Sequence, residues 1–345
     1  MATKVQPGKP TITDVARRAG VSKSLVSLVM RGADHVSAAR RQAVVKAASE
    51  LGYRPNAMAR SLVQRRTHMI GVMVSDLHNP FFADVVAGMQ GEASRTGYKV
   101  LVNTGNRAAR QEADAVETLL QLRADGIILA APVLEDDVIL RASREVPIVL
   151  VAREMQAASI DIVTNDDRAG AEVAVEHCAS LGHRRIAHID GGGGAGAAAR
   201  RRGYEAAMSR LGLGGFVSVV AGTFTEEGGH RGALVLLARD PRPTAIIAAN
   251  DLAAIGALNA IEEGGLRVPD DVSLVGYDNT SLASLRHISL TTIHQPRLEM
   301  GRLALATLLE RVDDGRVQPR RVVLSPSLVV RASTGRPRLD GARGL

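Results

Sequence analysis

The spacing of hydrophobic and polar positions changes once along the chain, near residue 68. Before this point, apolar residues recur every three or four positions, as on one face of a helix. After it, short runs of apolar residues alternate with amphipathic segments, which is typical of buried parallel strands joined by helices. The pattern therefore predicts a small all-α head followed by a larger α/β body.

Three short helices are predicted in the head. The first, in "TITDVARRAG", starts at the capping residue Thr11, with Asp14 three positions on, and stops at Gly20. The second, in "SKSLVSLVMRG", and the third, in "AARRQAVVKAASELG", are capped by Ser22 and Ser37. Helical spacing predicts that their apolar faces consist of Ile12, Val15, Ala16 and Ala19, then Val26, Val29 and Met30, then Val44, Val45, Ala48 and Leu51. Two helices around a glycine-containing turn, supported by a third, are typical of a helix-turn-helix unit, and a generic helical bundle is the alternative.

The body contains two series of predicted strands. The first comprises "MIGVMVSD", "YKVLVNTG", "DGIILAAP" and "PIVLVARE", and the second "RRIAHIDG", "FVSVVAGTF", "TAIIAAND" and "DVSLVGYD". Segments with a helical period, such as "EADAVETLLQLRA", separate them. Strands that alternate with helices form parallel sheets, so the two series predict two similar lobes.

Composition narrows the class of protein. Of 345 residues, 46% are apolar and 23% charged, which is ordinary for a globular protein. The one cysteine, Cys178, excludes an internal disulfide framework, suits a reducing cytosol, and lies in a helical pattern that predicts a core residue. Neither a secretory signal nor an apolar stretch of membrane-spanning length is visible, so we expect a cytoplasmic protein without a membrane partner.

The positive charge is concentrated in the head. Residues 1–67 contain 13 Lys and Arg against three Asp and Glu, whereas residues 68–345 contain 30 against 33. Such asymmetry indicates a head that binds a polyanion, attached to a nearly neutral body. A solvated basic arm is the alternative.

At this point the chain resembles the LacI (lactose-repressor) family of bacterial transcription regulators. The resemblance rests on "TITDVARRAGVSKSLVSLVMRG", on "HVSAARRQAVVKAASELGYRPNAMARSL" and on much of residues 69–333. It implies a sequence-specific DNA-binding repressor that acts as a homodimer on pseudo-palindromic operator DNA. It also implies a small-molecule effector, a sugar or related polyol, bound between two lobes like those of periplasmic sugar-binding proteins.

The resemblance divides the chain into a helix-turn-helix domain, a hinge helix with its linker, an effector-binding and dimerisation core of two doubly wound parallel-sheet lobes, and a flexible tail. These parts are expected at residues 10–55, 56–67, 68–333 and 334–345, with lobe 1 at about 68–164 and 297–333 and lobe 2 at about 165–296. The chain is expected to cross between the lobes near residues 163–168 and 294–298.

The second helix is expected to enter the major groove with its N-terminal residues facing the base edges. Leu28 stands where the family has a DNA-reading arginine, and a leucine can contact a thymine methyl but cannot bind guanine through two hydrogen bonds. Arg31, one turn further on, is expected either to replace that contact or to bind phosphate. The residues expected at the DNA are Thr11, Ser22, Lys23, Ser24, Ser27, Leu28, Arg31, His35, Asn56, Ala59, Arg60 and Leu62.

The segment "RPNAMARSLVQRR", residues 54–66, resembles the hinge helix of the family, which becomes ordered when a dimer binds DNA. The resemblance implies that Pro55 fixes its start, that Asn56 can cap it, and that Ala59 is small enough for close approach of a second helix. Leu62 matches the leucine that the family inserts between base steps in the minor groove. A solvated linker helix with incidental apolar residues is the alternative.

Ligands of open α/β sheets bind beyond the carboxyl ends of the strands. The polar and aromatic residues that follow the predicted strands are therefore expected at the effector site. The resemblance adds Arg200 of "AAARRRGYEAAM", which aligns with the ligand-contacting arginine in the family's Arg-x-x-Gly pattern. Together these residues are Asp76, Asn79, Phe81, Phe82, Arg153, Arg200, Phe224, Asn250, Asp278 and Gln295. Phe81 or Phe82 is alternatively a core residue, and Ala152 stands where the family often has an aspartate.

We expect no catalytic site, metal or cofactor. The histidines lack metal-ligand spacing, and neither a nucleophile elbow nor a phosphate-binding loop is present. "GGGGAG", residues 191–196, contains a dinucleotide-binding glycine pattern, but no acidic residue follows about 20 positions later, so it is predicted to be a flexible loop over the cleft. A solute-binding receptor built from the same two lobes remains a rival, although it predicts an export signal and no basic head.

Overall fold

The computed structural model describes residues 10–30, 33, 35–53 and 66–338. The chain divides into two units, residues 1–67 and 68–345, and each is described by itself. Most of the expected hinge helix, including Asn56, Ala59, Arg60 and Leu62, lies outside the described residues, and so does Arg31.

The head contains the three predicted helices, α1 (Ile12–Ala19), α2 (Lys23–Met30) and α3 (Ala38–Leu51). Their core contains the predicted residues Val15, Val26, Val29, Val44 and Ala48, all of which are buried.

Val45 was expected on the core face of α3, and this prediction is wrong, because the residue is 53% exposed. Neighbouring side chains on a helix point about 100° apart, so Val44 and Val45 do not both face the same core. Ala47 is buried in its place.

The elements of the first lobe are β1 (Met69–Val74), α4 (Pro80–Thr96), β2 (Lys99–Thr104), α5 (Ala109–Gln121), β3 (Gly126–Ala130), α6 (Asp136–Ala142), β4 (Ile148–Val151), β5 (Ile160–Asn165), α11 (Arg297–Val312) and β11 (Arg321–Leu324). The strands form a parallel sheet of six in the order β11-β5-β4-β3-β1-β2. The central strands β1, β3 and β4 are apolar and buried, as expected for a sheet that is covered on both faces.

The second lobe is built on another sheet of six strands, in the order β12-β10-β9-β8-β6-β7. Its elements are α7 (Asp167–Ser180), β6 (Ile186–Ile189), α8 (Ala197–Arg210), β7 (Ser218–Val220), α9 (Glu226–Leu237), β8 (Ala245–Ala248), α10 (Asp251–Glu263), β9 (Ser273–Asp278), β10 (Thr291–His294) and β12 (Ser327–Val329), with short 3-10 turns at Gly214–Phe216 and Ser281–Ser284. All its strand pairs are parallel except β10 with β12. The two-lobed α/β body that the strand series predicted is thereby confirmed.

The last strands correct one expectation. Residues 297–333 were expected to return to the first lobe, but only α11 and β11 do so, and β12 joins the second sheet. The chain therefore crosses between the lobes a third time, between β11 and β12. The physical reason is the free edge of β10, whose backbone groups gain hydrogen-bond partners when β12 pairs with it.

The segment after β12 is also held on the second lobe. The Ser333 hydroxyl donates to the Leu274 carbonyl over 2.6 Å, and the Nε2 atom of His183 lies 2.8 Å from the Gly335 carbonyl oxygen. Arg338 forms an ion pair with Asp271. The tail expected to be flexible from residue 334 is thus bonded through residue 338, and residues 339–345 lie outside the described part.

Candidate functional site

A cavity of about 520 Å³ lies between the two lobes, at the carboxyl ends of their parallel strands. Its walls are formed by Ser75, Asp76, Asn79, Phe81, Phe82, Arg107, Ala131, Val133, Ala152, Gly194, Ala195, Arg200, Phe224, Asn250, Asp278 and Gln295. All the effector residues predicted from the sequence line it except Arg153.

Strand ends of the first lobe supply two groups of opposite charge to the cavity. Asp76 follows β1, and its Oδ1 atom accepts the backbone N–H of His78 over 2.8 Å. Its Oδ2 atom lies 3.4 Å from Nη1 of Arg107, which follows β2. Arg107 was not predicted, although its place just beyond a strand is the same signal that identified Asp76.

The start of α4 brings an amide and two rings to the cavity. Asn79 caps the helix, because its Oδ1 atom accepts the backbone N–H of Phe81 over 2.9 Å. Phe81 and Phe82 meet edge to face, with ring centroids 5.2 Å apart. Both phenylalanines belong to the hydrophobic core of the lobe and also line the cavity. The core position and the cavity position, which the sequence presented as alternatives, are therefore combined in each residue.

Arg200 is fixed on α8 of the second lobe by contacts on several sides. Its Nε atom donates to Asp167 over 2.9 Å, Nη1 donates to the Ala249 carbonyl over 2.6 Å, and its guanidinium stacks 3.7 Å from the centre of the Tyr277 ring. The residue is only 6% exposed. Burial acts to lower the pKa of Arg200, but the interactions with Asp167, Tyr277 and Asp278 together outweigh it and raise the pKa. The cavity therefore contains a permanent, oriented cation.

A second buried carboxyl group, that of Asp278, lies beside this cation, and the carboxyl group of Asp251 lies near Asp278. Asp278 ends β9 and accepts Nε2 of Gln295 over 2.6 Å, and its Oδ1 atom is 4.0 Å from Arg200. Asp251, behind it, accepts hydrogen bonds from Thr280 and Thr292. Burial raises the pKa of Asp278, a shift that Arg200 opposes and Asp251 increases.

Phe224 closes the cavity from the second lobe, and the glycine-rich segment 191–196 packs on it. A Cβ atom at Gly191 or Gly194 would lie 2.4 Å from carbons of the Phe224 ring, which is closer than real Cβ contacts allow. The glycines therefore permit the backbone to approach an aromatic ring, which explains the dinucleotide-like pattern without a dinucleotide.

The carbonyl of Phe224 joins residues from both lobes. It accepts Nδ2 of Asn250 over 3.2 Å and Nη1 of Arg107 over 3.3 Å. Asn250 also caps α10 through its Oδ1 atom, which accepts the backbone N–H of Ala253 over 2.9 Å. The side chain of Asn250 is thus oriented by its own helix and by the loop above it.

Arg153 was predicted in the site, but the structure does not bring it into the cavity. Its Nη1 atom donates to the carbonyls of Pro132 and Leu134 over 3.0 and 2.6 Å, and Nη2 forms an ion pair with Asp136. Arg153 therefore supports the loop after β3 from the side of a wider neighbouring cleft of about 1300 Å³.

Glu112 of α5 is a second supporting residue, which the sequence analysis missed. It is completely buried, accepts the Ser75 hydroxyl over 2.6 Å and accepts the backbone N–H of Val133 over 2.7 Å. Burial raises the pKa of Glu112, while these hydrogen bonds oppose the shift. A glutamate within an amphipathic helix gives no sequence signal for such a role.

The head presents the predicted DNA-binding residues in different settings. Lys23, Ser24 and Leu28 are exposed on α2, with Leu28 at 38%, whereas Val26 and Val29 face the core as predicted. Thr11 precedes α1 and bonds to Asp14, and the Ser22 hydroxyl accepts the backbone N–H of Leu25. Ser27 is half-buried on α2, and His35 is exposed in a turn.

Within the described ranges, no group of three or more His, Cys, Asp and Glu side chains is placed to hold a metal ion. Cys178 is fully buried, and burial raises the pKa of its thiol to about 12, so it is a core residue as predicted. No described helix has both the length and the apolar character needed to cross a membrane.

Family models match both parts of the chain. Residues 11–56 match the model of the bacterial regulatory proteins of the lacI family, and residues 175–334 match that of a periplasmic binding protein-like domain. These matches confirm the resemblance seen in the sequence.

Individual proteins match over most of the chain. The ribose operon repressor of Escherichia coli strain K12 is 37% identical over 330 residues, covering 94% of this chain and 99% of the relative. A lac repressor dimer bound to operator and the anti-inducer ONPF has a TM-score of 0.83 and 32% identity, over 94% of this chain and 99% of that one. A LacI family regulator from Enterococcus faecium with bound ribose has a TM-score of 0.71 and 26% identity, over 78% of this chain and 100% of that one.

Proposed function

Because this chain belongs to the lacI family of bacterial regulatory proteins, we propose that its operator affinity is controlled by a sugar or related polyol bound between the lobes. The chain is a sequence-specific DNA-binding transcription regulator. The observation that carries the proposal is the joining, in one chain, of a basic helix-turn-helix head and a cavity with carboxylates, amides and guanidinium groups around aromatic rings.

The chemistry of the cavity supports a polyhydroxylated ligand. A buried hydroxyl needs both a donor and an acceptor in place of water. Asp76 and Asp278 offer acceptors, and Arg107 and Arg200 offer donors. The Oε1 atom of Gln295 is buried and has no hydrogen-bond partner among the described residues, so it is available to a ligand hydroxyl. The rings of Phe81, Phe82 and Phe224 suit the apolar C–H faces of a sugar ring.

The head supports binding in the major groove. Lys23, Ser24 and Leu28 project from one exposed face of α2, opposite its core-facing valines. Two such heads, related by the symmetry of a homodimer, fit the two half-sites of a pseudo-palindromic operator. A regulator of this kind works where the chromosome is, so a cytoplasmic location belongs to the same proposal.

The two lobes are joined by direct side-chain contacts. Arg107 of the first lobe bonds to Phe224 of the second. Arg297 donates to Asp84 of α4 over 2.9 Å and also to the carbonyl of Asp278. A ligand that changes lobe closure alters these contacts, and linkage then requires the ligand and the operator to affect each other's affinity.

The basic head argues against a solute-binding receptor, because a receptor does not need one. Among the described residues, no catalytic constellation favours an enzyme.

The deciding experiment measures binding of the full chain to random duplexes by selection and fluorescence anisotropy, with and without each of a panel of sugars and polyols. We expect selection of a twofold-symmetric sequence, salt-dependent binding, and a change of affinity with at least one compound. Equal binding to all duplexes under every condition would refute the proposal.

A further inference from the structure

The first-lobe wall of the cavity is divided into an apolar and a polar part. Along the sheet, the strand order β4-β3-β1-β2 places the ends of β4 and β3 side by side. Ala152 follows β4, and Ala131 and Val133 follow β3, whereas Asp76 and Arg107 follow β1 and β2. We call Ala131, Val133 and Ala152 the apolar sector. Its three side chains contain no polar atom.

The backbone of the apolar sector has no free N–H group for a ligand. The N–H groups of Ala131 and Ala152 donate to backbone carbonyls of the neighbouring strands over 2.8 and 3.0 Å. The N–H group of Val133 donates to the buried carboxylate of Glu112. The carbonyls on either side of Val133 accept hydrogen bonds from Arg153, which fixes this loop from behind.

The local backbone also favours small residues in this sector. Ala131 and Ala152 have φ angles of 51° and 58°, in the left-handed region that branched side chains rarely adopt. A ligand hydroxyl that faces the apolar sector finds no hydrogen-bond donor there and meets methyl groups in place of water, which weakens binding. A methyl group or an unsubstituted ring carbon in the same place gains apolar contact.

We infer that the effector presents a deoxy carbon or a methyl group to the apolar sector and its hydroxyl groups to the opposite side of the cavity. The ligand class is thus a deoxy sugar rather than a fully hydroxylated one. This inference rests on the proposed function, because it concerns the same cavity. Asp76 and Arg107 on one lobe and Asp278 and Gln295 on the other supply the polar side.

The test uses pairs of sugars that differ by one hydroxyl group. Isothermal titration calorimetry on the full chain compares D-fucose with D-galactose, D-quinovose with D-glucose, L-rhamnose with L-mannose, and 5-deoxy-D-ribose with D-ribose. We expect the deoxy member of a binding pair to bind about tenfold tighter, the effect of one unpaired hydroxyl. Equal or tighter binding of the hydroxylated member in every binding pair overturns the inference but leaves the proposed function standing. If neither member of any pair binds, the inference is overturned, and so is the proposal that the effector is a sugar.

Substitution of the sector tests its role directly. Ala152→Asp places a hydroxyl acceptor in the sector, and aspartate tolerates the left-handed backbone better than most residues. We expect it to reduce the preference for the deoxy sugar at least tenfold. The matched control is Ala158→Asp, which adds the same charge at an exposed position of the same β4–β5 connection and should leave the preference unchanged. An unchanged preference in Ala152→Asp contradicts the inference, and Ala152→Ser provides the same comparison if circular dichroism shows that Ala152→Asp does not fold.

Discussion

The guanidinium group of Arg107 in the first lobe donates to the backbone carbonyl of Phe224 in the second lobe over 3.3 Å. The same Nη1 atom lies 3.4 Å from the carboxylate of Asp76, which lines the cavity. Under the proposed function, a ligand hydroxyl bonded to Asp76 would act on the group that joins the lobes. Ligand recognition and lobe closure would then share one short chain of contacts.

Replacement of Arg107 by alanine is expected to weaken ligand binding about fivefold. The reason is that the variant loses the charged hydrogen bond that joins the two lobes, worth about 1 kcal/mol for a side chain that is a quarter exposed. Calorimetry with a sugar that binds the unmodified protein provides the measurement. Arg110→Ala removes the same charge from an exposed position at the start of α5 and serves as the control. Equal affinities of the two variants would contradict a role for Arg107 in closure.

Replacement of Arg200 by alanine is expected to abolish the ligand response while operator binding without ligand persists. It also leaves the buried carboxylate of Asp167 without its cation, so unfolding of the body should require about 3–5 kcal/mol less free energy. Urea unfolding and anisotropy titrations with ligand measure the two effects. The neighbouring Arg201 is exposed and pairs with Glu205, so Arg201→Ala is the matched control. An unchanged ligand dose curve in Arg200→Ala would remove this residue from the recognition of the ligand.

Most of the cavity could be predicted because it follows a rule that is visible in sequence. A buried run of apolar residues marks a strand, and the residue after it lies at the carboxyl edge of the sheet. Asp76, Phe224, Asn250 and Asp278 follow such runs, and all four line the cavity. Arg153 also follows a strand, but its direction depends on carbonyls of a loop about 20 residues earlier, which no local pattern reveals.

The destination of β12 could not be predicted for a related reason. The segments "VVL" and "SLVV" have the same apolar character, yet β11 joins the first sheet and β12 the second. Which sheet a short strand joins depends on which sheet has a free edge, and this is a property of the assembled lobes. The hinge segment and its Leu62 lie outside the described residues, so their expected role in the minor groove stays a prediction.

Replacement of Lys23 by alanine is expected to weaken operator binding and to lower the slope of log affinity against log salt by about one. Lys23 is exposed at the start of α2, and each phosphate contact releases about one counterion. Anisotropy titrations at several salt concentrations give the slope. Lys46→Ala, on an exposed face of the supporting helix α3, removes the same charge from the same head. If both variants lower the slope equally, the effect arises from the general charge of the head and not from a contact of α2.

Replacement of His188 by glutamine is expected to make the stability of the body less sensitive to acid. His188 is buried on β6, where Nδ1 lies 2.9 Å from the Ile247 carbonyl oxygen, and burial lowers its pKa to about 4. The unfolded chain, with a pKa near 6.5, binds the proton first, so this residue reduces stability as the pH falls from about 6.5 to about 4. At pH 4 and below, this shift of the pKa lowers the free energy of unfolding by about 3 kcal/mol.

Thermal unfolding between pH 7 and pH 4 measures this effect in the unmodified protein and in His188→Gln. The melting temperature of His188→Gln should fall less over this interval than that of the unmodified protein, even if its value at pH 7 is lower. His287 is exposed and provides the control, because His287→Gln removes a titrating imidazole from the surface. Parallel acid dependence in all three proteins would show that the histidine inside the second sheet does not limit stability at low pH.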